Sequence, residues 1–301
     1  MDRVKRLIHC ERAYKTGLSG KRVTVAVMDT GAAPHPDFSN RVVAFRDFCG
    51  KRISMYDDNG HGTHIAGIIG GNGSRSIDEK GNCRYAGIAP KVEYVILKVL
   101  DQKGNGVTSH VLEGVDWLLH NREKYGIRIL NISVGMLPSA GKIERDALLY
   151  AVDAVWDSGI AVISAAGNNG PGENTVTIPG ISRKIITVGS LDDEVVPTER
   201  AGKLMKGYTG FGPTECCIVK PEILAPGTNI TSCAKDGTYT VKSGTSMAAP
   251  VVSGALALAL ERHPDWLPAD LKLRLYESAY PRGEQIGRNC WGILHMDNLI
   301  L

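Results

Sequence analysis

Two kinds of apolar segment alternate along the chain, and their periodicities differ. Short runs that are apolar at nearly every position, such as Arg22–Met28, are typical of strands buried on both faces of a parallel sheet. Longer segments with an apolar side, or with small apolar residues throughout, are typical of helices. The predicted strands are Arg22–Met28, Tyr94–Leu100, Ile127–Val134, Ile160–Ala166 and Ile185–Val188, with weaker ones at Glu222–Leu224 and Tyr239–Val241. The predicted helices lie within residues 1–20, from His61 onward, and at Val111–Leu119, Asp146–Asp157, Met247–Leu260 and Pro268–Ser278.

This alternation of strand and helix predicts an α/β fold, a three-layer αβα sandwich with a mostly parallel central sheet. The chain of 301 residues has no internal repeat, low-complexity stretch or linker. One domain over residues 1–301 is therefore the simplest prediction.

Polar residues interrupt this pattern where strands end and helices begin. Asp29 closes the first strand in D-T-G, and Asn168 follows the fourth strand in A-A-G-N. His61 opens a helix in H-G-T-H-I-A-G, and Ser246 lies at the first turn of the helix that follows S-G-T. Because open α/β sheets place their sites at the carboxyl ends of strands, we expect these four side chains to converge.

Such a set has the parts needed for hydrolysis of an amide. A serine hydroxyl attacks a carbonyl only when a base takes its proton, and histidine is the common base. Ser246, His61, Asp29 and Asn168 would serve as nucleophile, base, orienting carboxylate and oxyanion donor, in that order. Taken singly, Ser246 also fits a helix cap and Asp29 a turn. His61 and His64, three residues apart, would also suit a metal, although the adjacent glutamate of H-E-x-x-H is missing.

The composition indicates which kinds of partner to exclude and which cell compartment to expect. The chain is 43% hydrophobic and 22% charged with a net charge of +3, and no basic block argues for nucleic acid or an anionic membrane. The seven cysteines are odd in number and form no C-x-x-C pair, which favours a reducing compartment. Cys216–Cys217 could be a fragment of a metal site but has no obvious partner ligands. With no apolar segment of signal-peptide type after Met1–Glu11, we expect a cytoplasmic protein, and secretion of a trimmed mature form is the alternative.

The four motifs D-T-G, H-G-T-H-x-A-G, A-A-G-N and G-T-S-M-A-A-P, in this order, resemble the signature blocks of the subtilisin-like serine peptidases. The resemblance extends from about Gly17 to about Asn298, and the chain order Asp, His, Ser agrees with it. It implies a serine endopeptidase of the intracellular bacterial type, acting on proteins or peptides and needing no cofactor for its chemistry.

The resemblance also implies where substrate binds. An extended peptide would pair with two segments, and a side pocket would select the residue before the cleaved bond. Thr177 stands where many relatives have glycine, which predicts a shallower pocket that accepts bulky aromatic residues less well. The implied substrate-binding residues are Gly104, Asn105, Gly106, Ser133, Val134, Gly135, Ala165, Ala166, Gly167 and Thr177.

Two features depart from the family pattern. No folding pro-domain is evident, since 28 residues precede Asp29. Relatives often bind structural calcium through the aspartate of H-P-D, which is Asp37 here, but the loop Asn72–Tyr85 is longer than theirs and matches poorly.

Two alternatives belong to other functional classes. A catalytically silent scaffold of the same fold would bind a protein partner, although such proteins usually lose a member of the triad. A nucleotide-binding α/β domain is suggested by glycine-rich turns alone and leaves G-T-S-M-A-A-P unexplained.

Overall fold

The structure is a computed structural model that describes residues 1–133, 135, 141–195, 206–214, 218–281 and 290–301. Eight strands form one sheet in the order β10-β7-β6-β5-β4-β1-β3-β2, and all neighbouring pairs are parallel. The strands of this sheet are β1 Thr24–Asp29, β2 Val42–Asp47, β3 Glu93–Lys98, β4 Ile127–Ile132, β5 Ala161–Ala165, β6 Ile186–Ser190, β7 Ile223–Ala225 and β10 Gly292–Ile293. A separate antiparallel pair consists of β8 Ile230–Cys233 and β9 Tyr239–Lys242.

Helices cover both faces of the sheet, so the predicted αβα layering is confirmed. Along β1, Val25 and Val27 point into one apolar cluster while Ala26 and Met28 point into the other, as the two-residue period of a strand requires. The first cluster includes α3 and α6, and the second includes α4 and α5. The helices are α1 Asp2–Leu7, α2 Glu11–Lys15, α3 His61–Gly70, α4 Thr108–Asn121, α5 Lys142–Asp157, α6 Thr245–Arg262, α7 Pro268–Ser278 and α8 Met296–Leu299.

The strands of the main sheet that are apolar throughout were predicted, whereas β2 and β8 were missed. The missed β2 is an edge strand whose residues are mostly half-buried, so its sequence lacks the continuous apolar signal. The missed β8 has four residues and pairs with β9 outside the main sheet. The single leading helix predicted within residues 1–20 is two short helices, and the strand predicted to reach Val134 ends at Ile132.

The chain reverses its direction of strand addition next to β1. From β1 it builds β3 and β2 on one side and β4 through β7 on the other. In parallel sheets such a reversal opens a crevice at the carboxyl ends of the strands. Asp29 at the end of β1 and Ser133 just after β4 lie at this crevice. No described helix is long and apolar enough to cross a membrane.

Candidate active site

Asp29 is the last residue of β1 and is fully buried. Its Oδ1 accepts a hydrogen bond from the backbone N–H of Thr30 at 2.7 Å and lies 2.8 Å from Nδ1 of His61. A carboxylate accepts hydrogen bonds, so it holds the imidazole proton on Nδ1. Nε2 of His61 is then left with a lone pair that can take a proton.

Residues at the start of α3 allow His61 to lie in contact with Asp29. The carboxylate of Asp57 accepts the backbone N–H groups of Asn59, Gly60 and Thr63 at 3.1, 2.8 and 3.0 Å and so fixes the turn into the helix. Gly60 has φ of 98°, a backbone conformation that favours glycine. A Cβ at Gly62 would collide with the carbonyl oxygen of Gly31, so this glycine permits the close approach of helix and strand end.

Two opposing effects act on the pKa of His61. Burial by itself lowers the pKa of His61, because it disfavours the charged ring. The negative charge and hydrogen bond of Asp29 outweigh burial, and the net pKa of His61 is raised above 6.5. The side chain keeps 25% of its surface exposed, so it is accessible to a reacting group.

Ser246 is the second residue of α6, which begins at Thr245 after Gly244. The first N–H groups of a helix have no partner within the helix, and they meet the positive end of its dipole. In the described part of the chain the hydroxyl of Ser246 donates to the carbonyl oxygen of Ser133 at 3.4 Å rather than to His61. This bond is long for O–H···O, and catalytic hydrogen bonds often tighten only when substrate binds.

Asn168 is exposed beside the start of α6, and its amide is oriented by a single neighbour. Its Oδ1 accepts from the backbone N–H of Thr245 at 3.0 Å and from the Thr245 hydroxyl at 3.1 Å. Nδ2 of Asn168 therefore points away from Thr245. It lies beside Gly244, where the lack of a side chain leaves room for it. This arrangement suits a hydrogen-bond donor to a negatively charged oxygen near Ser246.

A cavity of about 510 Å³ is lined by His61 and by Ser133, the hydrogen-bond partner of Ser246. Of the predicted substrate-binding residues, Gly104, Asn105, Gly106, Ser133 and Gly135 line it together with His61. Val134 lies outside the described residues. Ile178 also lines it and lies in the region Thr177–Gly180 expected to form the side pocket, while apolar walls that the sequence did not indicate are supplied by Leu100, Val107, Val111 and Leu148.

The predicted side pocket has Thr177 between two glycines. Cβ atoms added to Gly135 and Gly167 would lie 2.6 Å from its Oγ1 and 2.5 Å from its Cγ2, respectively. The backbone N–H of Thr177 donates to the carbonyl oxygen of Ala166 at 2.9 Å, directly after Ala165 at the end of β5. The Thr177 side chain thus occupies the space that separates these two backbone segments.

His64 does not join His61 in a metal site. Its Nε2 lies 3.1 Å from the carbonyl oxygen of Ile230 and 3.2 Å from that of Thr240, which are contacts of a donor N–H. Burial lowers the pKa of His64 to about 3, so the ring is neutral and ties α3 to the β8–β9 pair. Cys216 and Cys217, the other candidate metal fragment, lie outside the described residues.

The surroundings of Asp37 do not fit the calcium site that the resemblance implies. Calcium needs six to eight oxygen ligands, but the fully buried Asp37 carboxylate already accepts from four protein donors. Oδ1 accepts from Ser74 Oγ at 3.0 Å and from the N–H of Arg75 at 3.3 Å, and Oδ2 accepts from Tyr239 Oη at 2.8 Å and Cys233 Sγ at 3.6 Å. His35, Asp37 and Cys233 have ligand atoms within 4.8 Å of one another, but burial strongly raises the pKa of the Cys233 thiol. The Cys233 thiol therefore keeps its proton and donates it to Asp37, and the group is a hydrogen-bond cluster.

Sequence reasoning missed two charged residues beside the site. Asp57 lies four residues before His61 and carries the acceptor signal of a helix start. Lys98 lies in the otherwise apolar run Y-V-I-L-K-V-L, and a lysine within a strand buried on both faces is itself unusual.

Comparison with known proteins identifies the family and the fold of the chain. A model described as "Subtilase family" matches residues 20–292. Serine protease AprX of Bacillus subtilis (strain 168) is 37% identical over 292 residues, which cover 90% of this chain and 65% of that protein. Subtilisin DY of Bacillus licheniformis is 33% identical over 281 residues, covering 92% of this chain and 91% of that protein. A solved structure titled as a cold adapted subtilisin-like serine proteinase superposes with a TM-score of 0.72 at 31% identity, covering 93% and 90% of the two chains.

Proposed function

The chain belongs to the subtilase family of serine-type endopeptidases, and we propose that it hydrolyses peptide bonds with Asp29, His61 and Ser246 as its catalytic triad. The observation that carries this proposal is the 2.8 Å contact between buried Asp29 and His61 at the edge of the cavity. Ser246 contacts Ser133, which lines the same cavity.

In the proposed reaction, Ser246 Oγ attacks the carbonyl carbon of the scissile bond while Nε2 of His61 takes the hydroxyl proton. Asp29 stabilises the imidazolium that forms, in keeping with its raising effect on the pKa of His61. His61 then gives the proton to the leaving amine, and an acyl-enzyme remains on Ser246. A water molecule, deprotonated by His61, hydrolyses that ester and restores the hydroxyl.

The negative charge on the carbonyl oxygen would be held by two donors, Nδ2 of Asn168 and the backbone N–H of Ser246. The proposal is supported by the orientation of Asn168 through Thr245 and by the position of Ser246 at a helix start. Because both donors are oriented before substrate arrives, little reorganisation accompanies the reaction.

The substrate is proposed to be an extended protein or peptide segment. The segments Gly104–Gly106 and Ser133–Gly135 both contribute to the cavity walls, with Val134 outside the described residues. Pairing with backbone groups would bind many sequences, and the pocket at Thr177 would then select small and aliphatic side chains.

Two further predictions remain proposals. The single domain over residues 1–301 is supported by a sheet that runs from Thr24 to Ile293. Cytoplasmic location is supported by four free thiols, Cys10, Cys49, Cys83 and Cys233, while one relative is named "Minor extracellular protease Epr". Immunoblotting of cytoplasm and culture medium separates the two locations.

The test of function is hydrolysis of casein by the wild type and by Ser246→Ala, together with labelling of Ser246 by a fluorophosphonate. We expect hydrolysis and labelling in the wild type, inhibition by phenylmethylsulfonyl fluoride, and no activity in the variant. A folded wild type that neither hydrolyses casein nor takes the label would refute the proposal and favour a catalytically silent scaffold.

A further inference from the structure

Lys98 is the last residue of β3 and lies beside Asp29 in the sheet, where β1 and β3 pair in parallel. Its side chain is 1% exposed, although a lysine is seldom fully buried without partners. Its surroundings therefore have to compensate for removing an ammonium group from water.

The three N–H donors of the Lys98 ammonium group meet three acceptors from different segments. Nζ donates to the carbonyl oxygen of Thr30 at 2.7 Å, to Oδ1 of Asp58 at 2.8 Å and to the carbonyl oxygen of Leu100 at 2.8 Å. The ring of Tyr56 covers the same group, with its centroid 5.0 Å from Nζ. All three donors of the ammonium are thereby used.

Each acceptor belongs to a segment that carries one part of the proposed site. Thr30 directly follows Asp29, Asp58 lies three residues before His61, and Leu100 lines the cavity four residues before Gly104. A second link joins the latter two segments, because Asn59 Nδ2 donates to the carbonyl oxygen of Gln102 at 3.0 Å.

We infer that Lys98 is a positioning residue. It holds the Asp29–His61 pair at a fixed position relative to the substrate-binding edge, the segment from Leu100 to Gly106. It touches neither substrate nor reacting atoms. The inference rests on the proposed function, since it concerns the geometry of that same site.

The substitution Lys98→Met tests this role, because methionine has a similar length and no donor. It leaves two buried carbonyl oxygens and a carboxylate without their donor, so the three segments shift relative to one another. A displacement of about 1 Å at an active site costs on the order of 100-fold in rate. We expect kcat/KM to fall by about 10- to 100-fold.

Lys220→Met is the matched control, because Lys220 is equally buried and its ammonium group donates to the same number of acceptors. Its Nζ donates to the carbonyl oxygen of Ile185 at 3.1 Å, Thr187 Oγ1 at 3.0 Å and Glu222 Oε1 at 2.7 Å. Ile185 and Glu222 directly precede β6 and β7, so this cluster lies at the amino ends of the strands, opposite the site. Both variants should lose stability, but we expect Lys220→Met to keep the kinetics of the wild type.

Two kinetic readouts separate positioning from simple loss of stability. The rate of fluorophosphonate labelling reports on the triad without a bound peptide, and we expect it to fall in Lys98→Met alone. The gain in kcat/KM from a dipeptide to a tetrapeptide substrate reports on the binding edge, and we expect it to shrink in the same variant. Both are measured well below the Tm of each protein.

Equal labelling rates and equal gains in Lys98→Met and Lys220→Met would overturn the inference while leaving the proposed function intact. Absence of labelling in the wild type would instead overturn the proposed function. If Lys98→Met does not fold, Asp58→Ala serves in its place, since the Asp58 side chain is 41% exposed and its loss removes one of the three hydrogen bonds of Lys98. That variant should show a several-fold loss in labelling rate, and an unchanged rate would equally refute the role of Lys98.

Discussion

The substitution Thr177→Gly should convert the proposed side pocket from a shallow one to a deep one. The Thr177 side chain lies between Gly135 and Gly167, where added Cβ atoms would meet it at 2.6 and 2.5 Å. The residue is only 7% exposed, so it fills this space rather than lining an open one. Removing Cβ, Oγ1 and Cγ2 leaves both backbone segments in place and empties the space between them.

The size of the effect follows from the apolar surface that the emptied pocket can take up. A phenylalanine side chain has three more carbon atoms than leucine, and each buried carbon contributes about 0.8 kcal/mol. Full burial of the three would change the ratio of kcat/KM for phenylalanine over leucine by about 2.4 kcal/mol, or about 60-fold. A gain of at least about tenfold is expected even if the ring is partly exposed.

The assay is a series of chromogenic tetrapeptides that differ only in the residue before the cleaved bond, with phenylalanine, leucine or alanine there. Thr177→Val is the control, because it keeps the volume of the side chain and should keep the preference for leucine and alanine. A wild type that prefers phenylalanine would refute the reasoning, as would a Thr177→Gly variant with an unchanged ratio.

Three further predictions concern the base, the oxyanion donor and the Asp37 cluster. Because Asp29 raises the pKa of His61 above 6.5 and the base must be neutral, kcat/KM should fall as the pH drops through that raised pKa; an acid limb centred below 6.5 would contradict this. Asn168→Ala should lower kcat by about 10²–10³, the loss known for the corresponding donor of a family member, with little change in KM; equal losses in binding and turnover would argue against an oxyanion role. Tyr239→Phe removes one donor to Asp37 and should lower the free energy of unfolding by about 1–3 kcal/mol, whereas EDTA should leave Tm unchanged; a fall in Tm on adding EDTA that calcium reverses would restore the calcium site.

The parts of this structure that could be predicted from sequence are those that depend on local pattern. Strands such as β1 and β5 are apolar throughout, and the parallel arrangement places their carboxyl ends at one edge. The approach of Asp29 to His61 follows from that rule together with the motif in which each lies.

The parts that were missed depend on contacts between distant segments. Asp37 and Tyr239 are 202 positions apart, and no local pattern indicates that one hydroxyl and one carboxylate will pair. Edge strand β2 was missed for a different reason, since five of its six residues are half-buried or exposed and its sequence is mixed. Lys98 had a local signal in a charged residue within an apolar strand, but its partners could not be known without the fold.

The buried carboxylates around the site differ in the groups that they bind. This difference distinguishes carboxylates that fix loops from the one that takes part in the proposed reaction. Asp47 accepts from three backbone N–H groups and the hydroxyl of Tyr56, and Asp57 from three backbone N–H groups and a threonine hydroxyl. These donors keep their protons throughout any reaction at neutral pH, so such carboxylates fix loops and nothing more. Asp29 alone of these three holds an imidazole that is partly exposed beside the cavity. A buried negative charge next to a group that gains a proton near neutral pH stabilises the protonated state of that group. For this reason the proposed reaction uses Asp29 rather than Asp47 or Asp57, which accept more hydrogen bonds.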